Sequence, residues 1–281
     1  MSTTTETVLQ TRYLMIELGR LLSWARLEVK ACKSRILIIR KGKVERHTVE
    51  IQGQAITSIL DKPIKYLGKW FNQKLTDKEQ MVEVEKQVED YLQRIERCYL
   101  PGKFKVWMVQ NLMMPRIMWP LSIYDYTMTT VERIQQKITM KLKKWLGIPK
   151  SLSTAVLYST SSKLQLPCSS LVEEVKVTKT RNSMTLEQSR DENIRGAGIQ
   201  FKTGRKWRVE EEVQQAKSQL QLQEIAGIAN IGKAGLGLNK KLYYSNASKE
   251  DRRKLITEKV REHEEEKRRV RVAGMWKQGS G

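Results

Sequence analysis

The amino-acid sequence predicts an α+β protein, mainly α, in which small antiparallel β-hairpins come first and helices follow. Three observations carry this. Short apolar, β-branched runs before residue 72 are broken by the turn-like strings Lys41-Gly42-Lys43 and Gln52-Gly53-Gln54 and by Gly68. From about Thr76 apolar residues recur at helical intervals instead. The helical stretches then stop at Pro101-Gly102, Pro115 and Gly147.

In order along the chain, Thr3 and Glu6 have capping-box spacing. Leu14, Leu18, Leu21, Leu22 and Ala25 then predict an amphipathic helix from about Thr5 to Ala25. Ile36 to Ile39 reads as a buried strand, and Val49, Ile51 and Ile56 as a hairpin turning at Gln52-Gly53. Pro63 excludes a central-strand position, so Ile64 to Gly68 is expected as an edge strand or turn leading into Trp70 and Phe71, with Ile64 and Leu67 as its anchors. Val82, Val84, Val88, Leu92 and Ile95 predict one helix. Phe104, Trp107, Met108 and Leu112 predict a second, ending at Pro115, and Val131, Ile134, Ile138, Leu142 and Trp145 predict a third. Beyond Ser151 a helix entered through Ser169 or Ser170 is expected, then a helix over "KWRVEEEVQQAKSQLQLQEIAG", a glycine-rich loop over "GIANIGKAGLGLNKK", and a charged helix from Ser248 to about Val272. That last helix has few apolar anchors, which predicts loose seating.

Composition narrows the function classes. The 281 residues include 52 Lys+Arg against 31 Asp+Glu, a formal charge of +21, so an anionic partner is expected. Nucleic acid is favoured over an acidic membrane surface or an acidic protein. No run approaches the roughly 18 apolar residues of a membrane span, and "MSTTTETVLQ" lacks the basic-then-apolar order of a signal peptide. The expectation is an intracellular protein, cytoplasmic or nuclear and not secreted. Cys32, Cys98 and Cys168 lie far apart and read as free thiols.

Enzyme motifs are weak. Gly227-x-x-x-x-Gly232-Lys233 approaches a phosphate loop, but Ala234 stands where the metal-binding hydroxyl belongs and no strand precedes it. His47 and His263 are the only histidines and sit in unrelated segments, which excludes a multi-histidine metal site. The pair Glu173-Glu174 and the triplet Glu264 to Glu266 read as solvated helix faces. Of the tryptophans, those on helical arcs read as core, whereas Trp70, among Lys65, Lys69 and Phe71, is placed to stack or touch a backbone. Arg133, Lys137, Lys141 and Lys144 gather on one face of the third predicted helix, beside its apolar arc.

The order of these parts resembles a known family. A helix, then "KSRILII", a hairpin, "IKYLGKWF" and three helices, with "LPGKFK", "KWLGIP", "LQLP", "GRKWRVEEEVQQA" and "GKAGLG" following, is similar to the later part of the reverse transcriptase of non-LTR retrotransposons. The likeness spans nearly the whole chain. It implies a palm remnant with a primer-grip-like hairpin over residues 1–75, a helical thumb over 76–150 and a helical, partly flexible extension over 151–281. It also implies that Lys33, Lys65, Lys69 and Trp70, with Arg133, Lys137, Lys141 and Lys144 on the thumb, contact nucleic acid, an RNA–DNA hybrid or duplex backbone.

In that family a Tyr-x-Asp-Asp turn precedes the first matched helix and helps hold two Mg²⁺ ions. No acidic pair precedes that helix in this sequence. The resemblance therefore implies no catalytic or metal residue and no cofactor in this chain. Mg²⁺ would serve only a complete polymerase, and an upstream polymerase region is an expected partner. A stand-alone basic nucleic-acid-binding module and a helical protein-interaction scaffold are the alternatives.

Overall fold

The computed structural model describes residues 3–66, 68–74, 76–160, 168–234 and 243–278, and within them the fold is α+β, mainly α. Leu67 and the string "LQLP" lie outside the described residues, as does the loop expected after Ala234. Two units divide the chain, residues 1–80 and 81–281.

In the first unit, helix α1 (Val8–Trp24) begins one turn later than Thr3 and Glu6 predict. Thr7 Oγ1 accepts from Gln10 N at 3.1 Å and Gln10 Oε1 accepts from Thr7 N at 3.1 Å, so the capping box is built by this pair. The inward stripe also differs from the expected one. Met15 and Gly19 are buried, and Leu18 and Leu22 pack beside them against Val49 and Ile51, while Leu14 and Leu21 are exposed.

Three two-stranded antiparallel hairpins follow: β1 (Ile38–Arg40) with β2 (Lys43–Glu45), β3 (Val49–Ile51) with β4 (Gln54–Ile56), and β5 (Ile64–Tyr66) with β6 (Lys69–Phe71). Lys41 and Gly42 both have positive φ, as do Gln52 and Gly53, the mirror-image turn that suits the twist of a tight hairpin. Gln52 accepts a backbone strain that glycine would avoid, and its side chain offers a reason. The Gln52 amide donates to Leu27 O at 2.9 Å and accepts from Val29 N at 2.9 Å, tying the chain after α1 to the β3–β4 turn. The run Ile36 to Ile39 is half-buried to exposed, not buried as expected, because β1 pairs only with β2 among the described residues.

The second unit holds one apolar core. Helix α2 (Lys78–Arg97) contributes Val84, Val88, Leu92 and Ile95, while Val82 is 70% exposed and lies off that stripe. Helix α3 (Gly102–Met108) passes into a π-helical turn, Val109–Met113, and on into α4 (Met114–Ile123). The expected stop at Pro115 does not occur. Pro115 sits in the first turn of α4, directly after the π turn has shifted the hydrogen-bond register, so the donor that proline lacks is not demanded there. Val106, Val109, Met113, Met114, Ile117 and Leu121 turn inward, which leaves Phe104, Trp107 and Leu112 outward.

Helix α5 (Met128–Trp145) buries Val131, Ile134, Ile138 and Leu142 along one stripe and ends at Gly147, φ 66°, as its sequence predicts. Gly102 meets the end of α5 so closely that a Cβ there would lie 1.9 Å from Trp145 O. A glycine is therefore required in "LPGKF".

After the short α6 (Thr154–Tyr158), α7 (Leu171–Glu187) is capped by Ser170 and packs against α4, α5, α9 and α10. The short α8 (Glu192–Gly196) precedes α9 (Val209–Ala234). Helix α9 continues through Gly227 to Ala234, where a loop was expected. Helix α10 (Lys249–Gln278) is not loosely seated over its described length, since Ile256 and Val260 are buried in the common core. Segments 76–150 and 151–281 thus share that core.

Leu142, fully buried in the core, and Val82, exposed on α2, give a direct check. Leu142→Ala is expected to lower unfolding free energy by about 2–5 kcal/mol, and Val82→Ala by no more than about 0.5 kcal/mol. Chemical denaturation of both variants measures the difference, and equal losses would contradict the α2 register.

Candidate nucleic-acid interface

The β5–β6 hairpin is built by its sequence. Pro63, without an N–H, precedes the first strand, and Gly68 takes φ 86° at the turn. Lys65 pairs across the ribbon with Trp70, and Tyr66 with Lys69. Because side chains alternate along a strand, Lys65 and Trp70 share one face and Lys69 stands on the other. Lys65 Nζ lies 5.8 Å from the Trp70 ring centroid, within cation–π reach, and Trp70 stays 40% exposed. Lys69 Nζ instead lies 3.3 Å from Asp77 Oδ2 and 5.7 Å from the Phe71 ring. A cavity of about 210 Å³ opens beside Trp70, lined by Pro63, Asn72, Thr76, Glu79 and Gln80. Lys33 ends a short 3-10 turn, Ala31–Lys33, and is exposed; among the described residues no ion pair joins it to the hairpin.

The four cations expected to line the thumb are together on α5, and each faces a carboxylate of α2. Arg133 pairs with Glu85, and Lys137 with Glu89 and, at 3.9 Å, with Glu85. Lys141 and Lys144 both reach Glu96, at 2.9 and 2.6 Å, and Trp145 Nε1 donates to the same carboxylate at 3.0 Å. The partners ascend together in number, so α2 and α5 run parallel and the cations form a ladder between helices. Hydrogen bonds from Lys144, Lys141 and Trp145 pull the Glu96 carboxyl down to about 2, with its limited burial opposing them. Glu85, Glu89 and Glu96, spaced by four and seven, were the available sequence signal for this pairing.

Other readings change in the structure. Trp24, Trp107 and Trp119 are 56–85% exposed and so do not form core. The apolar arcs that carry them turn outward because shorter residues on the opposite arcs fill the interior. Trp145, on the α5 arc, is half-buried, and Trp207 is buried. Gly227 falls inside α9, so the strand, loop and helix of a phosphate loop are not formed.

The acidic triplet on α10 is solvated only at Glu266. Glu264 and Glu265 are buried. Glu264 Oε1 lies 2.8 Å from Lys176 Nζ and 3.1 Å from Lys267 Nζ; burial pushes this carboxyl up, and the two ammonium groups more than reverse the effect, holding it below the ordinary range. Glu265 accepts from Ser159 Oγ at 2.5 Å and pairs with Arg268 at 3.0 Å. His263 Nδ1 lies 2.8 Å from Glu212 Oε1, and Trp207 Nε1 donates to Glu212 Oε2 at 2.9 Å. Donor atoms of Glu212, His263 and Glu264 come within 4.8 Å of one another, a spacing a metal ion could use. Lys176 and Lys267 already meet the Glu264 charge, so the cluster is an ion-pair network joining α10 to α7 and α9.

No family model matches the chain, and no curated protein matches it.

The Glu96 node generates a pH dependence. Its carboxyl titrates at about 2 in the folded chain against the ordinary 4.5, so its contribution is present above pH 4.5 and fades as pH falls from 4.5 toward 2. Glu96→Gln is expected to flatten the melting temperature against pH across that window. Parallel wild-type and variant curves would show that the node contributes nothing.

Proposed function

We propose that the chain is the primer-gripping and thumb part of a non-LTR-type reverse transcriptase and binds nucleic acid through its backbone. The observation that carries this reading is the β5–β6 hairpin, where Lys65 and exposed Trp70 share one face beside an open cavity. A lysine ammonium offers a point charge to a phosphate, and the indole offers a stacking face to a sugar or base. Neither group reads sequence, so the expected binding is backbone-directed and salt-sensitive. The resemblance in the order of "KSRILII", "IKYLGKWF" and "KWLGIP" supports the same reading.

The α5 cations enter differently. Lys137 and Lys141 are mostly covered against α2, whereas Arg133 and Lys144 keep 59% and 67% of their side chains exposed. Arg133 and Lys144 are the residues of this face able to meet a phosphate without leaving the ladder. Lys33, exposed on its turn, is a third isolated phosphate contact. On α1, Leu9, Tyr13, Ile16 and Trp24 form an uncovered stripe, which suits packing against the upstream polymerase region. That region would hold the Mg²⁺ ions and do the chemistry. The residues of this chain would position the primer strand.

Fluorescence anisotropy with a labelled RNA–DNA hybrid, titrated over salt, tests the proposal. Lys65→Glu is expected to weaken binding and reduce the salt slope by about one, and Trp70→Ala to cost about 1–3 kcal/mol. Lys137→Glu is expected to lower the melting temperature while changing affinity little. Salt-independent binding, or wild-type affinity in both hairpin variants, would overturn the reading. In primer extension with Mg²⁺ the isolated chain is expected to add no nucleotides.

A further inference from the structure

A second feature of residues 81–281 lies outside the α5 ladder. Tyr91, Arg94 and Ile95 on α2, with Cys98 just past its end, face Met108, Leu112, Met113 and Arg116 across a groove of about 180 Å³. A cavity of about 150 Å³ accepts a benzene ring, so this groove has room for one bulky apolar side chain. Its walls are almost wholly hydrocarbon and sulfur, apart from two guanidiniums. A nucleobase would leave its polar edge unmatched there, at a cost an apolar side chain does not incur.

The charges at the groove also differ from those of α5. Neither Arg94 nor Arg116 has a carboxylate oxygen within 4.0 Å among the described residues, and Arg116 lies over the Tyr91 ring at 5.7 Å. Leu112, Arg116 and Trp119 follow at spacings of four and three, and Leu112 and Trp119 are exposed. An apolar slot is thus flanked by an arginine on each wall.

We infer that this groove is a docking site for an acidic peptide segment of a partner protein. One phenylalanine or leucine of the segment enters the slot, and flanking glutamate or aspartate carboxylates meet Arg94 and Arg116 in forked hydrogen bonds. Charge complementarity selects this occupant, because the slot accepts an apolar group and its two unmatched charges are both positive. The π turn Val109–Met113 supplies Leu112 and Met113 to the wall, and such turns recur at functional sites. The inference is independent of the nucleic-acid reading.

Fluorescein-labelled Glu-Glu-Phe-Glu-Glu and its Glu-Glu-Ser-Glu-Glu counterpart test it by anisotropy on the full chain. The phenylalanine peptide is expected to bind about tenfold or more tightly than the serine peptide, and Arg94→Glu with Arg116→Glu to remove that difference. Far-UV circular dichroism checks folding, and if the double reversal unfolds, Arg116→Gln alone is read. Cys98 on the groove wall gives a second readout. In a Cys32→Ser background, with Cys168 buried, the phenylalanine peptide is expected to slow alkylation of Cys98 by iodoacetamide. Equal affinity for the two peptides, or protection of Cys98 by an oligothymidylate but not by the peptide, would overturn the proposal.

Discussion

Helices α2 and α5 run parallel, joined by a ladder of ion pairs and a shared core. One stripe on each helix is apolar, with Val84, Val88, Leu92 and Ile95 on α2 and Val131, Ile134, Ile138 and Leu142 on α5, all buried in the common core. Along the edge runs the ladder from Glu85, Glu89 and Glu96 to Arg133, Lys137, Lys141 and Lys144. Burying a Val or Leu side chain stabilises by about 1.5–3 kcal/mol, and a partly exposed ion pair by about 0–1 kcal/mol. The stripe therefore supplies the free energy. The ladder supplies register, since sliding one helix by a turn would keep apolar contact but leave Glu96 without its three donors.

The same logic governs the rest of this unit. Glu173 and Glu174 on α7, Glu212 on α9, and Glu264 and Glu265 on α10 each meet a cation or a donor from another element. In a chain with far fewer acids than bases, many of these acids join helices together. Positive charge not matched in this way is left to the surface. Two features follow, an excess positive field and particular cations, such as Arg94 and Arg116, with no carboxylate partner among the described residues.

Element types were legible wherever periodicity was strong. The stripe of α5, the turn at Gln52-Gly53 and the cap at Ser170 all lie where the sequence places them. What one helix read alone could not reveal was its neighbour: the α5 cations look like a free basic face until Glu85, Glu89 and Glu96 are brought opposite. The exposed tryptophans mislead for a similar reason, since a wide apolar arc does not say which part of it finds the core. Pro115 misleads because a π turn, invisible to a 3.6-residue period, removes the conflict that would end the helix. At the candidate site, the pairing of Lys65 with Trp70 follows from hairpin register, while the diversion of Lys69 to Asp77 depends on a contact eight residues away.

Energetics also limit what the hairpin can do. One stacked ring contributes about 1–3 kcal/mol, and one lysine–phosphate contact at a surface adds about 1 kcal/mol or less. Together they approach the roughly 4 kcal/mol of a millimolar complex. Such a site cannot hold a duplex by itself, and Lys69, engaged by Asp77, does not raise the total. On the proposed function, the hairpin would orient a strand that other contacts retain. Retention would then fall to the wider cationic field, whose strength scales with the number of phosphates neutralised and falls with salt. On that proposal affinity and alignment would be separable, the first spread over exposed lysines and arginines and the second concentrated in one lysine and one indole on a two-stranded ribbon.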